Sequence, residues 1–203
     1  MNVGDQKIND FLDVLASKEP VPGGGSTSGL LTALASALGN MVVAYTHGKK
    51  KYVVHQSLHE DCEKFLQTAR AESIELASAD AESYATLNTL WKLDKNNPER
   101  IKHWGDAVEQ ATNVPIRAME LCNRLLTTLE TMIGKTNKML ESDLITASIL
   151  ARSSSEIAAV TARINIPLLD DIATKTAIEE KVCTLEGRCS VLARNIEESC
   201  RAV

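Results

Sequence analysis

The sequence predicts an all-α fold, an elongated antiparallel helical bundle, on three observations. Hydrophobic residues make up 44% of the chain and aromatics only 3%, so the core has to be built from Leu, Ile, Val and Ala. Five prolines and ten glycines in 203 residues are too few for a turn-rich β protein. No segment alternates apolar and polar residues as a half-buried strand does, whereas apolar residues recur at spacings of three and four. Residues 1–203 read as one domain, because no internal repeat or low-complexity linker divides them.

The elements follow in order. A short helix over about 5–17 carries Ile8, Phe11, Leu12 and Leu15 at helical spacing, and Glu19-Pro20-Val21-Pro22 stops it. After three glycines, Ser26 is placed to cap a second helix that runs to about Thr46. Its large apolar stripe is Leu30, Leu34, Leu38, Met41 and Tyr45, with small residues on the other faces, the pattern of a buried helix. A third helix spans about 52–92; at 1.5 Å per residue it is about 60 Å long, against a radius of gyration of about 17 Å for a compact domain of this size. Such a helix either kinks or packs beyond one subunit, and the expected assembly is a homodimer formed through helices.

Asn97-Pro98-Glu99 is a strong helix start: a capping Asn, Pro in the first turn, then an acid at the positive end. That helix continues to Gly134 with Pro115 as an internal kink. Ser142 is read as the next cap, with Asp143 in the first turn, and Asn165-Ile166-Pro167 as the stop. The helix between them is rich in small residues such as Ala147, Ala151 and Ala158, which suits close helix packing. A last helix carries Leu169, Ile172, Val182, Leu185, Cys189, Leu192 and Ile196.

Composition excludes several function classes. Net charge is −5 and only Lys49, Lys50 and Lys51 cluster, so the basic footprint of a nucleic-acid binder is missing. The five cysteines form no CxxC, which argues against a disulfide framework or zinc knuckle. Cys62 and Cys122 fall on apolar helical positions and read as small buried hydrophobes. No signal peptide is visible, and the apolar stretch 30–45 is shorter than a membrane span. No membrane association is expected, and a reducing cytoplasm is the expected compartment.

Three features could carry chemistry. Gly23, Gly24 and Gly25, followed by Ser26, precede a helix, where free N–H groups and the helix dipole favour an anion. A tight turn at a close helix crossing explains the same glycines equally well. Asp80 shares a helix face with Leu76 and Tyr84, in the stripe Cys62, Leu66, Ala69, Ser73, Leu76, Asp80, Tyr84, Leu87. A carboxylate there is paired, hydrogen-bonded or raised in pKa, which suits general acid–base work; a capping or bridging Asp is the alternative. Lys49, Lys50 and Lys51 before Tyr52 are either solvated charge or contacts for an anionic ligand tail. His55 and His59 have metal-ligand spacing but no HExxH pattern and no third ligand, and read as exposed helix surface. No metal site is expected.

The ordered set Pro22-Gly-Gly-Gly-Ser26, Met41-Val42, Gly48-Lys-Lys-Lys-Tyr52, Asp80-Ala81, Ala111 with Val114-Pro115, Asn137 before Ser142-Asp143, and Asn165 before Pro167 resembles the cyclodeaminase/cyclohydrolase family of folate enzymes. The resemblance runs from about Phe11 to Asp170. It implies an all-helical dimer that binds a reduced folate and needs no cofactor. It also implies that Asp80 is catalytic and that Gly23 to Ser26, Lys49, Lys50, Tyr52, Asn137, Asp143 and Asn165 bind substrate. One stretch departs from the family pattern: Leu93-Asp94-Lys95 stands where Leu-Pro-Lys is usual, and His103-Trp104 stands near an expected Arg.

The implied reaction is hydrolysis of 5,10-methenyltetrahydrofolate to 10-formyltetrahydrofolate, or cyclisation of 5-formiminotetrahydrofolate with release of ammonia. The absence of a formiminotransferase domain from the sequence tilts the reading towards the cyclohydrolase. The alternative class is a non-catalytic helical dimer that keeps the fold and binds an anion.

Overall fold

The computed structural model describes residues 2–201, and among them the regular structure is entirely helical. The helices are α1 (Ile8–Leu15), α2 (Gly24–Ala44), α3 (Gln56–Trp91), α4 (Pro98–Thr131), α5 (Glu141–Asn165) and α6 (Ile172–Arg201). Short 3-10 turns cover Val3–Asp5, Lys50–His55, Lys138–Leu140 and Ile166–Leu168.

Helices α2, α3, α4 and α5 form a ring, and α6 lies along the α4–α5 side. Side-chain pairs give the directions. Ser26 meets Ala77 while Gly39 abuts Leu66, so α2 and α3 run antiparallel. Arg163 pairs with Glu179 and Arg152 with Glu197, so α5 and α6 are antiparallel. Lys181–Glu120 and Asn195–Glu130 set α6 parallel to α4. The expected antiparallel bundle is thus observed. Helix α3, at 36 residues, is accommodated by the 34-residue α4 beside it, which lengthens the bundle.

Several start and stop signals act as read. Asn97 accepts from Glu99 N at 2.9 Å, and Gly48 and Gly134 adopt the positive φ that turns the chain after a helix. Three readings are corrected. Ser26 is not the cap of α2: Gly23 occupies that position, and Ser26 is the third residue of the helix. Ser142 is not the cap of α5, which starts at Glu141 straight out of the preceding 3-10 turn; Asn137 caps that turn by accepting from Met139 N. Asp143 does fall in the first turn of α5.

The main correction concerns which face of α2 is inside. Its buried residues are small: Ser26, Ser28, Gly29, Thr32, Ala33, Ala35, Ser36 and Gly39, with Val42 and Val43. A Cβ at Gly29 would lie 2.7 Å from Ala77 Cβ and from Ser73 O, so the missing side chain sets the α2–α3 distance. On the α5 side, Ser154 Oγ donates to Ser28 O at 2.7 Å and lies 2.7 Å from Thr32 Oγ1, stitching the helices with buried hydrogen bonds. The stripe expected to be core is therefore only partly inside: Leu34 is 48% and Tyr45 60% exposed, Met41 is half-buried, and the half-buried Leu30 and Leu38 pack on the edges of core clusters. Close approach selects small residues for the inside, which reverses the usual reading of an apolar stripe.

The apolar stretch 30–45, read as shorter than a membrane span, belongs to a 21-residue helix that is long and apolar enough to cross a bilayer. Half of its apolar window is buried inside the bundle, as in a core helix. His59 is corrected too: it is buried, with Nε2 2.8 Å from Lys135 O.

Gly29→Ala is expected to destabilise the fold by about 1–3 kcal/mol through overpacking against backbone, read as a lower urea midpoint at unchanged m-value.

Candidate active site

A cavity of about 440 Å³ opens where the start of α2, the middle of α3 and the end of α5 meet. Its lining includes Gly23, Gly24, Gly25, Asp80, Ser83, Tyr84, Ala111, Thr161 and Asn165, with Ile157, Val160 and Ile164 as an apolar wall. Asp80 is the one ionisable carboxylate among them.

The helix geometry explains how Asp80 is held. The first turn of an α-helix has free N–H groups, and Gly23 at the N-cap has no side chain to satisfy them. Asp80 reaches across from α3 to one of them: the Ser26 backbone N–H donates to its carboxylate, and Ser26 Oγ lies 3.3 Å from Oδ2 while also donating to Ala77 O at 3.0 Å. A Cβ on Gly25 would overlap the Asp80 carboxylate, so this is the glycine that the site demands. Nothing lies within 4 Å of a Cβ built on Gly23. The anion at the glycine turn is thus the protein's own Asp80. The turn is both a close crossing and an anion cradle, and Asp80 is both a helix cap and a cavity group.

Burial pushes the Asp80 carboxyl above the ordinary carboxylate range, and the hydrogen bonds from the Ser26 side chain and backbone hold it partly down. The carboxylate therefore takes up a proton more readily than a solvated one while keeping a fixed orientation. Tyr84, read as core, instead stands 45% exposed at the cavity rim, one turn beyond Asp80.

The remaining residues of interest divide by position. Asn165 lines the cavity and donates through Nδ2 to Ala111 O at 2.8 Å. Lys49, Lys50 and Tyr52 lie at the other end of α2, about 30 Å away at 1.5 Å per residue, around a second cavity of about 380 Å³. There Tyr52 is buried and its hydroxyl accepts from Lys138 N at 3.3 Å. Asn137 N donates to Thr46 Oγ1 at 2.9 Å, pinning the lysine loop. Asp143 is at this end as well and lines neither cavity. One subunit does not bring all the expected site residues together.

The stretch that departs from the family pattern is a closed turn. Arg100 donates to Leu93 O at 2.8 Å and lies over Trp104 at 4.4 Å, and Trp104 packs edge-on against Trp91. No residue of 91–104 lines the Asp80 cavity.

The Val160, Thr161 and Ile164 wall was not read from sequence. Its only signal is the three- and four-residue spacing of exposed apolar residues on a helix otherwise rich in small ones; Val160 is 58% and Ile164 68% exposed.

Residues 7–184 match the family model described as formiminotransferase-cyclodeaminase. The chain belongs to the formiminotransferase-cyclodeaminase family. Within it, the chain is 32% identical over 189 residues to the methenyltetrahydrofolate cyclohydrolase of Methylorubrum extorquens, covering 91% of this chain and 89% of that protein. It is 28% identical over 148 residues to the formimidoyltransferase-cyclodeaminase of Mus musculus, covering 71% of this chain but 27% of that protein. The fold matches the crystal structure of formiminotetrahydrofolate cyclodeaminase from Thermotoga maritima with a TM-score of 0.89, at 24% identity over 98% of both chains.

Two outcomes follow for this site. Ser26→Ala removes a hydrogen bond that favours the ionised form, so the Asp80 pKa rises further, and the acidic limb of any pH–rate profile moves to higher pH. Asp80→Asn keeps an acceptor for Ser26 N–H and removes the ionisation. Because the folded-state pKa is raised, the wild type loses stability as pH rises through the carboxylate range. The variant is therefore expected to melt higher than wild type near pH 7, with the gap closing below pH about 4. Thermal melts of both proteins across pH check this.

Proposed function

We propose that this chain is a one-carbon folate enzyme that opens or closes the methenyl bridge of tetrahydrofolate, with Asp80 as its acid–base residue. The observation that carries this reading is the Asp80 carboxylate, oriented on the first turn of α2, raised in proton affinity and set in a mainly apolar cavity. A 5,10-methenyl folate carries a cationic amidinium, which the carboxylate attracts.

In the hydrolytic direction, Asp80 takes a proton from water as the water oxygen bonds to the methenyl carbon. The bond from that carbon to N5 then breaks; the new hydroxyl loses its proton, N5 gains one, and a formyl group remains on N10. Asp80 returns its proton to solvent. In the cyclising direction, N10 attacks the formimino carbon, Asp80 relays the N10 proton to the departing nitrogen, and ammonia leaves. The match along nearly the whole length of a methenyltetrahydrofolate cyclohydrolase favours the hydrolytic direction.

The same reading includes a homodimer that completes the site. The outer side of α2 exposes Leu34 and Tyr45, flanked by the half-buried Leu30, Leu38 and Met41, and Leu34 stands midway between Gly24 and Ala44. A two-fold axis at Leu34 sets α2 against its copy antiparallel, in an isologous contact that buries this face. It carries the Lys49–Lys50 loop of each subunit to the glycine turn of the other, supplying cations to a cavity whose lining has none. Those cations are suited to the carboxylates of a folate tail.

Two measurements test the reading. Asp80→Asn is expected to lower turnover of 5,10-methenyltetrahydrofolate, followed by loss of its near-UV absorbance, by at least about 10²-fold with folate binding retained. Near-normal turnover sinks the assignment of Asp80, and no turnover by wild type of this or of 5-formiminotetrahydrofolate sinks the enzyme reading. For the dimer, Asp80→Asn and a Lys49→Ala, Lys50→Ala chain are co-expressed under different tags. Each mixed dimer then holds one intact site, so about a quarter of wild-type activity returns on statistical pairing. No recovery above the parents places both groups of residues in separate sites.

A further inference from the structure

Pro115 lies inside α4. At that position any other residue would donate its N–H to the carbonyl of Ala111, one turn back. Proline has no N–H, so the carbonyl is left for another donor. Asn165, the last residue of α5, supplies it: Nδ2 donates to Ala111 O at 2.8 Å in buried surroundings. A carbonyl oxygen only accepts, so the amide nitrogen has to face it, and this settles which way the Asn165 amide is turned.

The consequence falls in the cavity. Ala111 and Asn165 both line it, and Asn165 is only 5% exposed. With Nδ2 committed to Ala111, Oδ1 is the remaining polar atom of the amide, and it takes no donor among the described residues. The Oδ1 atom is not sealed from solvent, so it stands as an open acceptor in the cavity wall.

We propose that Pro115 is a positioning residue, which frees the Ala111 carbonyl, holds the Asn165 amide in one orientation, and so presents Oδ1 to accept an N–H of the reduced pterin ring. This rests on the folate reading above. Were residue 115 to carry an N–H, the Ala111 carbonyl would have a helical donor. The Asn165 amide would then be released to turn its NH₂ towards the ligand, where a donor meets a donor. Pro115 does not touch the ligand and acts only through Ala111 and Asn165.

The test compares Pro115→Ala, Asn165→Ala and the double variant in steady-state turnover of 5,10-methenyltetrahydrofolate. Asn165→Ala is expected to raise KM about tenfold with little change in kcat, the pattern of a lost hydrogen bond made equally in ground and transition states. Pro115→Ala is expected to raise KM several-fold, and the double variant to be no worse than Asn165→Ala, because the two act through one bond. A Pro115→Ala enzyme with wild-type KM overturns the proposal, as does full additivity of the two effects. A purely structural proline would shift the unfolding midpoint and leave KM alone. Should Pro115→Ala fold poorly, Asn165→Leu serves instead: it neither donates to Ala111 O nor accepts from the ring, and a KM equal to wild type overturns the proposal equally. Wild-type protein inert on folates would sink the function itself, whereas an active wild type with unmoved variants sinks only this inference.

Discussion

Everything in the cavity depends on one carboxylate capping a helix that is not its own. The first turn of α2 has free N–H groups, Gly23 offers no cap, and Asp80 arrives from α3 to accept from Ser26. The contact forms only because Gly25 has no Cβ to fill the space of the carboxylate. It also fixes the pairing of the helices at this level, since Ser26 reaches Ala77 O in the same layer. A structural cap and a chemical group are here the same atoms, which ties the fold directly to the proposed reaction.

The same constraint governs α2 as a whole. To bring its N-terminus within hydrogen-bonding distance of α3, the helix has to lie close to that neighbour along its length, and Gly29 and Gly39 leave the room. Small polar residues then form the inside, with Ser28, Thr32 and Ser154 satisfying one another across the α2–α5 contact. Leu34 and Tyr45 are left on the outside, where the proposed two-fold contact would bury them. One geometric demand thus accounts for the glycines, the buried hydroxyls and the exposed Leu34.

The raised proton affinity of Asp80 has its source in the same placement. Burial disfavours the charge and the helix N-terminus favours it, and burial has the larger effect. Across the cavity, Pro115 and Asn165 follow a related logic. There a missing N–H in one helix is answered by a side chain from another, leaving a single polar atom for a ligand. At both places a gap in a helix's own hydrogen bonding, filled from outside the helix, orients the group offered to the cavity.

Much of the fold was legible in the sequence. Asn97-Pro98 and Asn165-Ile166-Pro167 bound helices because capping and the missing proline N–H act locally, within one turn. Apart from Tyr84, the stripe from Cys62 to Leu87 marked the inner face of α3, and Asp80 stood out as its one charge. Ser26 and Ser142 were misread as caps because several small polar residues in each segment satisfy the same local rule. The burial of His59 depended on a carbonyl at Lys135, far along the chain. Local pattern determined which residues are helical and which carboxylate is anomalous. Only the tertiary structure decided which face of α2 is inside, that the glycine turn holds Asp80, and that Lys49, Lys50 and Tyr52 lie at the other end of the bundle. Those outcomes depend on how closely two helices approach and in which direction each runs, and neither is encoded in the spacing along one helix.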